Sequence, residues 1–156
     1  SKKLLIATNG FTAGLISNLD VNPARNQVLI TKPLGNLSVK GNFHFMKGYI
    51  YFRHIGDRLL LGGARFISDD EYTENYGQTE KIQDYLTNLL KQRILIDRSF
   101  EIEDWWSGIL GVGKAKGPIV QEIEEGLFVA VLLGGMGVAI GMEVGQKSAL
   151  QICAVD

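Results

Sequence analysis

The clearest hydrophobic pattern of the chain lies between Leu127 and Leu133, a continuous apolar run bounded by glycines. Such a run predicts a strand that is buried on both faces. The four residues 134–137 then contain three glycines, which allow a sharp turn and a close approach to backbone N–H groups. Apolar or small residues follow at helical spacing, at Val138, Met142, Gly145, Ala149 and Ile152.

This order of strand, glycine turn and helix favours anion binding, because unpaired N–H groups and the positive end of a helix dipole point out of the turn. Glycines at spacing four, at positions 137, 141 and 145, are equally typical of a helix that packs closely on a sheet. The uncharged stretch of about 17 residues that contains the turn is at the short limit for a membrane span, and we predict none.

Two-residue alternation predicts a sheet in the first half of the chain. Gly56 and Asp57 suit a two-residue hairpin turn, and residues 58–62 return antiparallel to the strand before the turn. The predicted faces of that first strand are Tyr49, Tyr51 and Arg53 on one side and Ile50 and Phe52 on the other.

Three further strands follow from shorter apolar or alternating runs. We predict them over residues 4–7, over residues 27–31 with a boundary at Asn22-Pro23, and over residues 100–104 with Trp105 and Trp106 closing the strand. One amphipathic helix is predicted to begin at an N-cap, Thr79, and to end near Arg93.

Composition narrows the function. The 156 residues are 46% hydrophobic and 21% charged, which suits one ordinary core. The net charge is -1 without a basic run, so no nucleic-acid partner is predicted. A single cysteine, Cys153, excludes an internal disulfide framework, and with only His44 and His54 beside it no metal site is predicted. No targeting segment is recognisable, so we expect a cytoplasmic protein.

Seven short motifs occur in a fixed order along nearly the whole chain. They are Ala7-Thr8-Asn9-Gly10, residues 23–28 (Pro-Ala-Arg-Asn-Gln-Val), residues 49–53 (Tyr-Ile-Tyr-Phe-Arg), Leu61-Gly62-Gly63, Trp106-Ser107-Gly108, Gly117-Pro118-Ile119 and residues 133–139 (Leu-Gly-Gly-Met-Gly-Val-Ala). The ordered set resembles the C-terminal half of FAD-dependent oxidoreductases of the D-amino-acid oxidase, glycine oxidase and sarcosine oxidase group.

The resemblance implies an α+β fold with a mainly antiparallel mixed sheet and flanking helices, like the substrate domain of these flavoenzymes, plus a terminal strand and helix of the FAD domain. It implies three segments: 1–19 as a remnant of the FAD domain, 20–125 as the substrate-binding domain, and 126–156 as the strand, glycine turn and helix that return to the FAD domain. The strand-GxGxxG-helix unit that holds the FAD pyrophosphate in this family does not occur here. Because the chain also starts without Met at Ser1, we expect a piece of a larger enzyme that does not retain FAD alone.

The resemblance also implies where FAD lies. The turn formed by Gly134, Gly135, Met136, Gly137 and Val138 is expected to face the pyrimidine carbonyl of the flavin ring. Backbone N–H groups there stabilise the negative charge that develops when the flavin is reduced. Thr8 is expected beside the cofactor as well.

The substrate site departs from the family. Several amino-acid oxidases place an arginine for the substrate carboxylate where this chain has Leu110. We therefore take Arg53, Tyr51 and Tyr49 as replacement candidates, because an arginine binds a carboxylate with two hydrogen bonds and a tyrosine hydroxyl donates a third. The alternative is that these three are ordinary surface residues. His44, His54 and Lys114 are further polar candidates, for which solvent exposure without a function is the alternative.

Two functions remain from the sequence. The first is the substrate-binding and flavin-capping part of an FAD-dependent oxidoreductase that transfers a hydride from a small amine or amino acid to flavin, with a separate N-terminal FAD domain as its partner. The second is a stand-alone, non-enzymatic domain that binds a ligand or another protein.

Overall fold

A computed structural model describes residues 2–154 of the chain. Ser1, Val155 and Asp156 lie outside the described residues. The predicted segments 1–19 and 126–156 are therefore described except for these terminal residues. The fold is α+β and dominated by antiparallel strands, which confirms the predicted fold class. Its elements are β1 Leu4–Ile6, β2 Asn22–Thr31, β3 Asn42–Phe45, β4 Ile50–Ile55, β5 Arg58–Gly63, α1 Glu80–Leu89, β6 Ile102–Val112, β7 Ile119–Glu124, β8 Leu127–Val131 and α2 Gly137–Ala154.

The chain divides into two compact units. Unit 1 comprises residues 1–24, 72–74 and 109–156, and unit 2 comprises residues 25–71 and 75–108. A three-stranded sheet has the order β1-β8-β7, with β1 parallel to β8 and β7 antiparallel to it. A five-stranded sheet has the order β3-β4-β5-β2-β6.

The predicted hairpin of β4 and β5 is confirmed, with Ile55 opposite Arg58 and Tyr51 opposite Gly62. The predicted alternation also holds, because Ile50 is fully buried and Phe52 packs against the same core, whereas Arg53 is exposed. Strand β3 was not predicted from the sequence. It forms because β4 offers it a free edge for pairing, and the rings of Phe43 and Phe52 stack at 4.7 Å between centroids.

Helix α1 covers one face of the five-stranded sheet. Its predicted apolar stripe is confirmed, since Ile82 and Leu86 are fully buried, together with Leu90 just beyond the helix. The chain then makes one π-helical turn, Leu90–Ile94, so the helical stretch ends near Arg93 as predicted. The buried residues of this core are Leu29, Leu37, Ile50, Leu59, Leu61, Ala64, Ile82, Leu86, Leu90 and Leu95.

Thr79 does stand at the N-cap of α1, but its side chain makes no capping hydrogen bond. Its hydroxyl instead donates to Glu71 Oε1 at 2.9 Å, and Gln27 Nε2 donates to both carboxylate oxygens of Glu71 at 3.0 Å. Arg25 completes this buried network through Nε and Nη2, at 3.1 and 2.9 Å from the two oxygens. The network joins β2 to the start of α1.

Two strands, β2 and β6, extend well beyond their predicted bounds, and β8 ends at Val131, two residues before the end of its predicted run. Strand β2 begins at Asn22 rather than at Gln27, because Pro23 lies near the strand's first residue, where a missing N–H is tolerated. Strand β6 does not end at Trp105 and Trp106 but continues to Val112, since its pairing with β2 holds a backbone whose side-chain pattern alone looks interrupted. Trp105 packs against the core of unit 2, and Trp106 is exposed.

In unit 1 the three-stranded sheet packs Val129 and Val131 into a second core with Val21 and Leu132. The predicted helix after the glycine turn is confirmed as α2, but its buried side is not the predicted stripe. Val144 and Ser148 are buried; Ser148 fits there because its hydroxyl donates to the Val144 carbonyl at 2.7 Å. Four of the five predicted stripe residues are exposed, and the fifth, Ile152, is half-buried. Within residues 2–154, neither helix is long and apolar enough to cross a bilayer.

Candidate functional site

The glycine turn of unit 1 has the backbone that its sequence predicts. Gly134 and Gly135 have φ values of 57° and 88°, a left-handed conformation that glycine adopts without a steric penalty. Leu132 also has a positive φ, 66°, so the chain reverses within a few residues of the end of β8. The Met136 N–H donates to the Leu133 carbonyl at 2.8 Å, and α2 starts at Gly137.

Two neighbouring segments of unit 1 hold this turn in place. Asn9 Oδ1 accepts a hydrogen bond from the Leu133 N–H at 3.1 Å, and the Gly111 carbonyl accepts one from the Gly134 N–H at 3.1 Å. A Cβ at Gly111 would lie 2.5 Å from Asn9 Oδ1, so only glycine fits beside the asparagine. The turn is therefore fixed by side-chain and backbone bonds from outside it.

Some backbone N–H groups of the turn make no hydrogen bond within the described residues, and they could donate to a ligand with acceptor oxygens. The N–H groups of Ala139 and Ile140 both donate to the Met136 carbonyl, whereas those of Gly135, Gly137 and Val138 have no acceptor within residues 2–154. The Val138 side chain is fully exposed, and Gly134 has open space where a Cβ would stand. Exposed donors at the N-terminus of an 18-residue helix suit a ligand whose oxygens accept hydrogen bonds or carry negative charge.

Thr8 and Leu110 lie in the same unit as the turn. Thr8 directly precedes Asn9, the asparagine that supports the turn, and it is exposed. The hydroxyl oxygens of Thr8 and Thr12 lie 3.0 Å apart. A Cβ built at Gly135 would lie 3.6 Å from Leu110 Cδ1. An apolar side chain therefore stands next to the turn.

Two of the three candidate substrate residues, Tyr51 and Arg53, lie in unit 2 on the face of β4 opposite α1. Asn26 Nδ2 donates to the Tyr51 hydroxyl oxygen at 2.9 Å, and the tyrosine ring lies over Gly62, where a Cβ would stand 2.5 Å from that oxygen. Arg53 follows two residues later on the same face and is exposed. Burial raises the pKa of Tyr51 above its usual range, against the lowering effects of the Asn26 hydrogen bond and the Arg53 charge. The phenol is therefore neutral and carries its proton.

Tyr49 stands apart from this pair. It lies in the turn before β4, one residue outside the strand predicted for it, and it is 40% exposed. The Arg65 guanidinium lies 4.9 Å from the centroid of its ring, and Phe66 packs edge-on at 5.8 Å. These contacts form a separate aromatic cluster, so the structure gives Tyr49 different partners from Tyr51.

Sequence reasoning missed the supporting residues Asn9, Asn26 and Gly62 as site residues. Asn9 was visible only as an Asn-Gly turn signal, and Asn26 and Gly62 only as members of motifs. Nothing in their local spacing shows that they meet Leu133 or Tyr51, which are 124 and 25 residues away from the two asparagines.

Two of the other polar candidates take part in hydrogen bonds. The Gly41 N–H donates to His54 Nδ1 at 2.8 Å, and the backbone N–H of Lys114, not its side chain, donates to Asp20 Oδ2 at 2.8 Å. His44 is exposed, with its ring centroid 6.1 Å from that of Tyr51.

The fold is similar to that of several solved enzyme structures. The chain superposes on glycine oxidase from Geobacillus kaustophilus with a TM-score of 0.78 at 19% identity, covering 100% of this chain and 42% of that one. Iminodiacetate oxidase from Chelativorans sp. BNC1 gives a TM-score of 0.74 at 20% identity, with coverages of 96% and 42%. L-proline dehydrogenase from P. horikoshii gives 0.72 at 17% identity, with coverages of 94% and 41%.

At these identities the superpositions show the fold alone, and the chain spans about two fifths of the length of each enzyme: 42%, 42% and 41%. No curated protein sequence matches the chain. The model of the FAD dependent oxidoreductase family (DAO) matches residues 1–149, which is nearly the whole sequence. The chain belongs to this family of FAD-dependent oxidoreductases.

Proposed function

We propose that this chain is the substrate-binding and flavin-capping part of an enzyme that oxidises an amine or amino acid with FAD. The observation that carries the proposal is the turn after β8, whose unpaired N–H groups are exposed and held in place from outside. The neighbours named as acting on glycine, iminodiacetate and proline share a substrate type, an amine that bears a carboxylate. FAD, when bound, accepts the hydride that leaves the carbon next to the substrate nitrogen.

The turn contributes electrostatics. The N–H groups of Gly135, Gly137 and Val138 would hold a ring carbonyl of the flavin, and the helix dipole of α2 adds partial positive charge at the same place. Donors that are fixed before the reaction stabilise developing negative charge without reorganising. The bonds from Asn9 and from the Gly111 carbonyl supply that rigidity.

The outer face of β4 contributes substrate binding. Arg53 is exposed there and free to make a two-bond contact with a carboxylate, and Tyr51 lies two residues before it on the same face. Tyr49 is a further candidate from the turn before the strand. The apolar Leu110 beside the turn leaves carboxylate recognition to groups other than an arginine at that position.

A partner is part of the proposal. The outward face of α2 exposes Val138, Met142 and Leu150 at 105%, 89% and 64%, and strand β1 is an edge of its sheet with Leu4 57% exposed. Exposed apolar side chains of this number and an open strand edge favour coverage by another protein surface. We assign that role to an FAD domain that carries the GxGxxG unit, which this sequence lacks.

The first test is cofactor retention. The isolated chain is expected to lose FAD on gel filtration, because the turn supplies donors for the ring but no unit for the pyrophosphate. The ratio of flavin absorbance to protein absorbance measures this. A yellow protein with one FAD per chain would contradict the proposal that a separate FAD domain is needed to hold the cofactor.

The second test uses the enzyme with its FAD domain. Under anaerobic conditions, an amine or amino-acid substrate is expected to bleach the absorbance of the oxidised flavin. Gly135→Ala is expected to slow bleaching, because φ of 88° strains an alanine and displaces the turn. Gly145→Ala is the matched control, since it stands in the same unit with open space around it. Bleaching by no amine at all would refute the function, and equal rates in the two variants would refute the role of the turn.

A further inference from the structure

The side chain of Tyr51 lies flat across the five-stranded sheet. Tyr51 on β4 is opposite Gly62 on β5, and Gly62 is opposite Val28 on β2. Because Gly62 has no Cβ, the ring passes over β5, and its hydroxyl oxygen reaches Asn26 on β2 at 2.9 Å. A glycine within a strand commonly marks such a close approach. Three strands therefore combine to fix the position of one hydroxyl group.

The direction of the Asn26 hydrogen bond decides what the tyrosine has left to offer. Asn26 donates through Nδ2, so the tyrosine oxygen is the acceptor and its own O–H is not used in this bond. Within residues 2–154 this is the one hydrogen bond that the Tyr51 hydroxyl makes. Asn26 is buried, at 8% exposure, so the amide is fixed and the O–H keeps one donating role.

We propose that Asn26 is a positioning residue that holds the Tyr51 hydroxyl so that its proton is donated to the carboxylate of an amino-acid substrate. The inference rests on the proposed function and adds the group that replaces the absent arginine. Arg53, exposed on the same face of β4, supplies the positive charge that attracts the carboxylate. A carboxylate can only accept hydrogen bonds, so it matches a phenol whose oxygen is already occupied by a donor.

The first experiment tests the pair in this chain. Tyrosine Cζ is labelled with ¹³C, and the protein is titrated with sodium acetate against sodium chloride of equal ionic strength. We expect a saturating shift of the Tyr51 signal, identified by its loss in Tyr51→Phe, and no shift of Tyr72, which is 57% exposed. Asn26→Leu removes the donor while keeping a branched side chain and is expected to abolish the response and to raise the Tyr51 pKa. An unresponsive Tyr51 in the unaltered chain, or an unchanged response in Asn26→Leu, would overturn the proposal.

A second variant covers the case in which the leucine substitution prevents folding. Asn26→Asp keeps the shape but replaces the donor with an acceptor, which takes the tyrosine proton for itself. We expect this variant to lose the acetate response while the ¹³C spectrum shows a folded protein. A folded Asn26→Asp chain that binds acetate as before would contradict the assigned direction of the hydrogen bond.

The third measurement uses the enzyme with its FAD domain. Asn26→Leu is expected to raise KM for an amino acid by at least about tenfold, the usual cost of a lost hydrogen bond to a charged group. KM for the matching amine without the carboxylate is expected to stay unchanged, which a general loss of structure would not produce. If no amine reduces the flavin, the proposed function fails, while the acetate titration still decides this inference. Equal effects on both substrates would assign Asn26 to packing alone.

Discussion

Glu71 is the residue whose removal tests the interior of unit 2 most directly. Its carboxylate is fully buried and accepts hydrogen bonds from Arg25, Gln27 and Thr79. Replacing it with alanine leaves the Arg25 side chain, 10% exposed, without its hydrogen-bonded carboxylate. Removing one partner of a buried ion pair typically costs about 3–5 kcal/mol, because the remaining charge stays buried and uncompensated.

The structure favours the lower end of that range for Glu71→Ala. Arg25 keeps two long hydrogen bonds, at 3.4 Å each, to the carbonyl oxygens of Asp70 and Asn75. We therefore expect a loss of about 3 kcal/mol in the free energy of unfolding, more than about a hundredfold in the folding equilibrium. Glu71→Gln keeps an oxygen for Arg25 but loses the charge, so its loss is expected to be smaller.

Urea unfolding followed by tryptophan fluorescence measures this loss, because Trp105 packs against the core of unit 2. The control is Glu101→Ala, which removes the partner of Lys32 from an ion pair whose side chains are 56% and 73% exposed. Solvent screens such a pair, so the control is expected to unfold at the same urea concentration as the unaltered chain. If Glu71→Ala unfolded together with the control, the buried network would not carry the stability assigned to it.

Three further predictions follow from single residues. Burial raises the pKa of Glu71, but hydrogen bonds from neighbouring side chains outweigh this and hold the pKa below 4.5. The stabilising contribution of Glu71 is therefore complete above that pH and is lost as the pH falls through the lowered pKa. Urea midpoints measured at decreasing pH should show this loss, and Glu71→Gln should make them less dependent on pH. Gly63→Ala should destabilise unit 2 by more than backbone strain alone, which costs about 1–3 kcal/mol, because φ is 118° and the new Cβ would also overlap the Tyr49 carbonyl oxygen. Gly56→Ala, at φ of 61° with open space around it, should lower the free energy of unfolding by less in the same urea assay. Val144→Ala should cost on the order of 1–3 kcal/mol while Met142→Ala, at 89% exposure, leaves thermal unfolding unchanged, and equal effects would mean that α2 is turned differently.

Much of the fold was already determined by local sequence. The hairpin of β4 and β5 follows from two alternating runs around Gly56-Asp57, and helix α1 follows from one apolar stripe. The left-handed turn at Gly134 and Gly135 follows from glycines after a buried strand. In each case the signal lies within about twenty residues, the range over which periodicity and turn chemistry act.

The tertiary structure decided what these elements meet. Most of the predicted stripe of α2 is exposed and Val144 is buried. Glycines and alanines make several faces of that helix similar in hydrophobicity, so only packing against a sheet selects one. Thr79 likewise makes no helix-capping bond, because its hydroxyl oxygen accepts from Gln27 Nε2 at 2.8 Å while its O–H donates to Glu71.

The candidate site shows the same division. Its glycine turn and the face that carries Tyr51 and Arg53 could be predicted from the sequence, because both depend on short-range spacing. The residues that hold these groups in position, Asn9 and Asn26, could not be predicted. Asn9 reaches a turn 124 residues away, and Asn26 reaches Tyr51 across an intervening strand, because hydrogen-bond partners at such separations are chosen by strand pairing and not by local pattern.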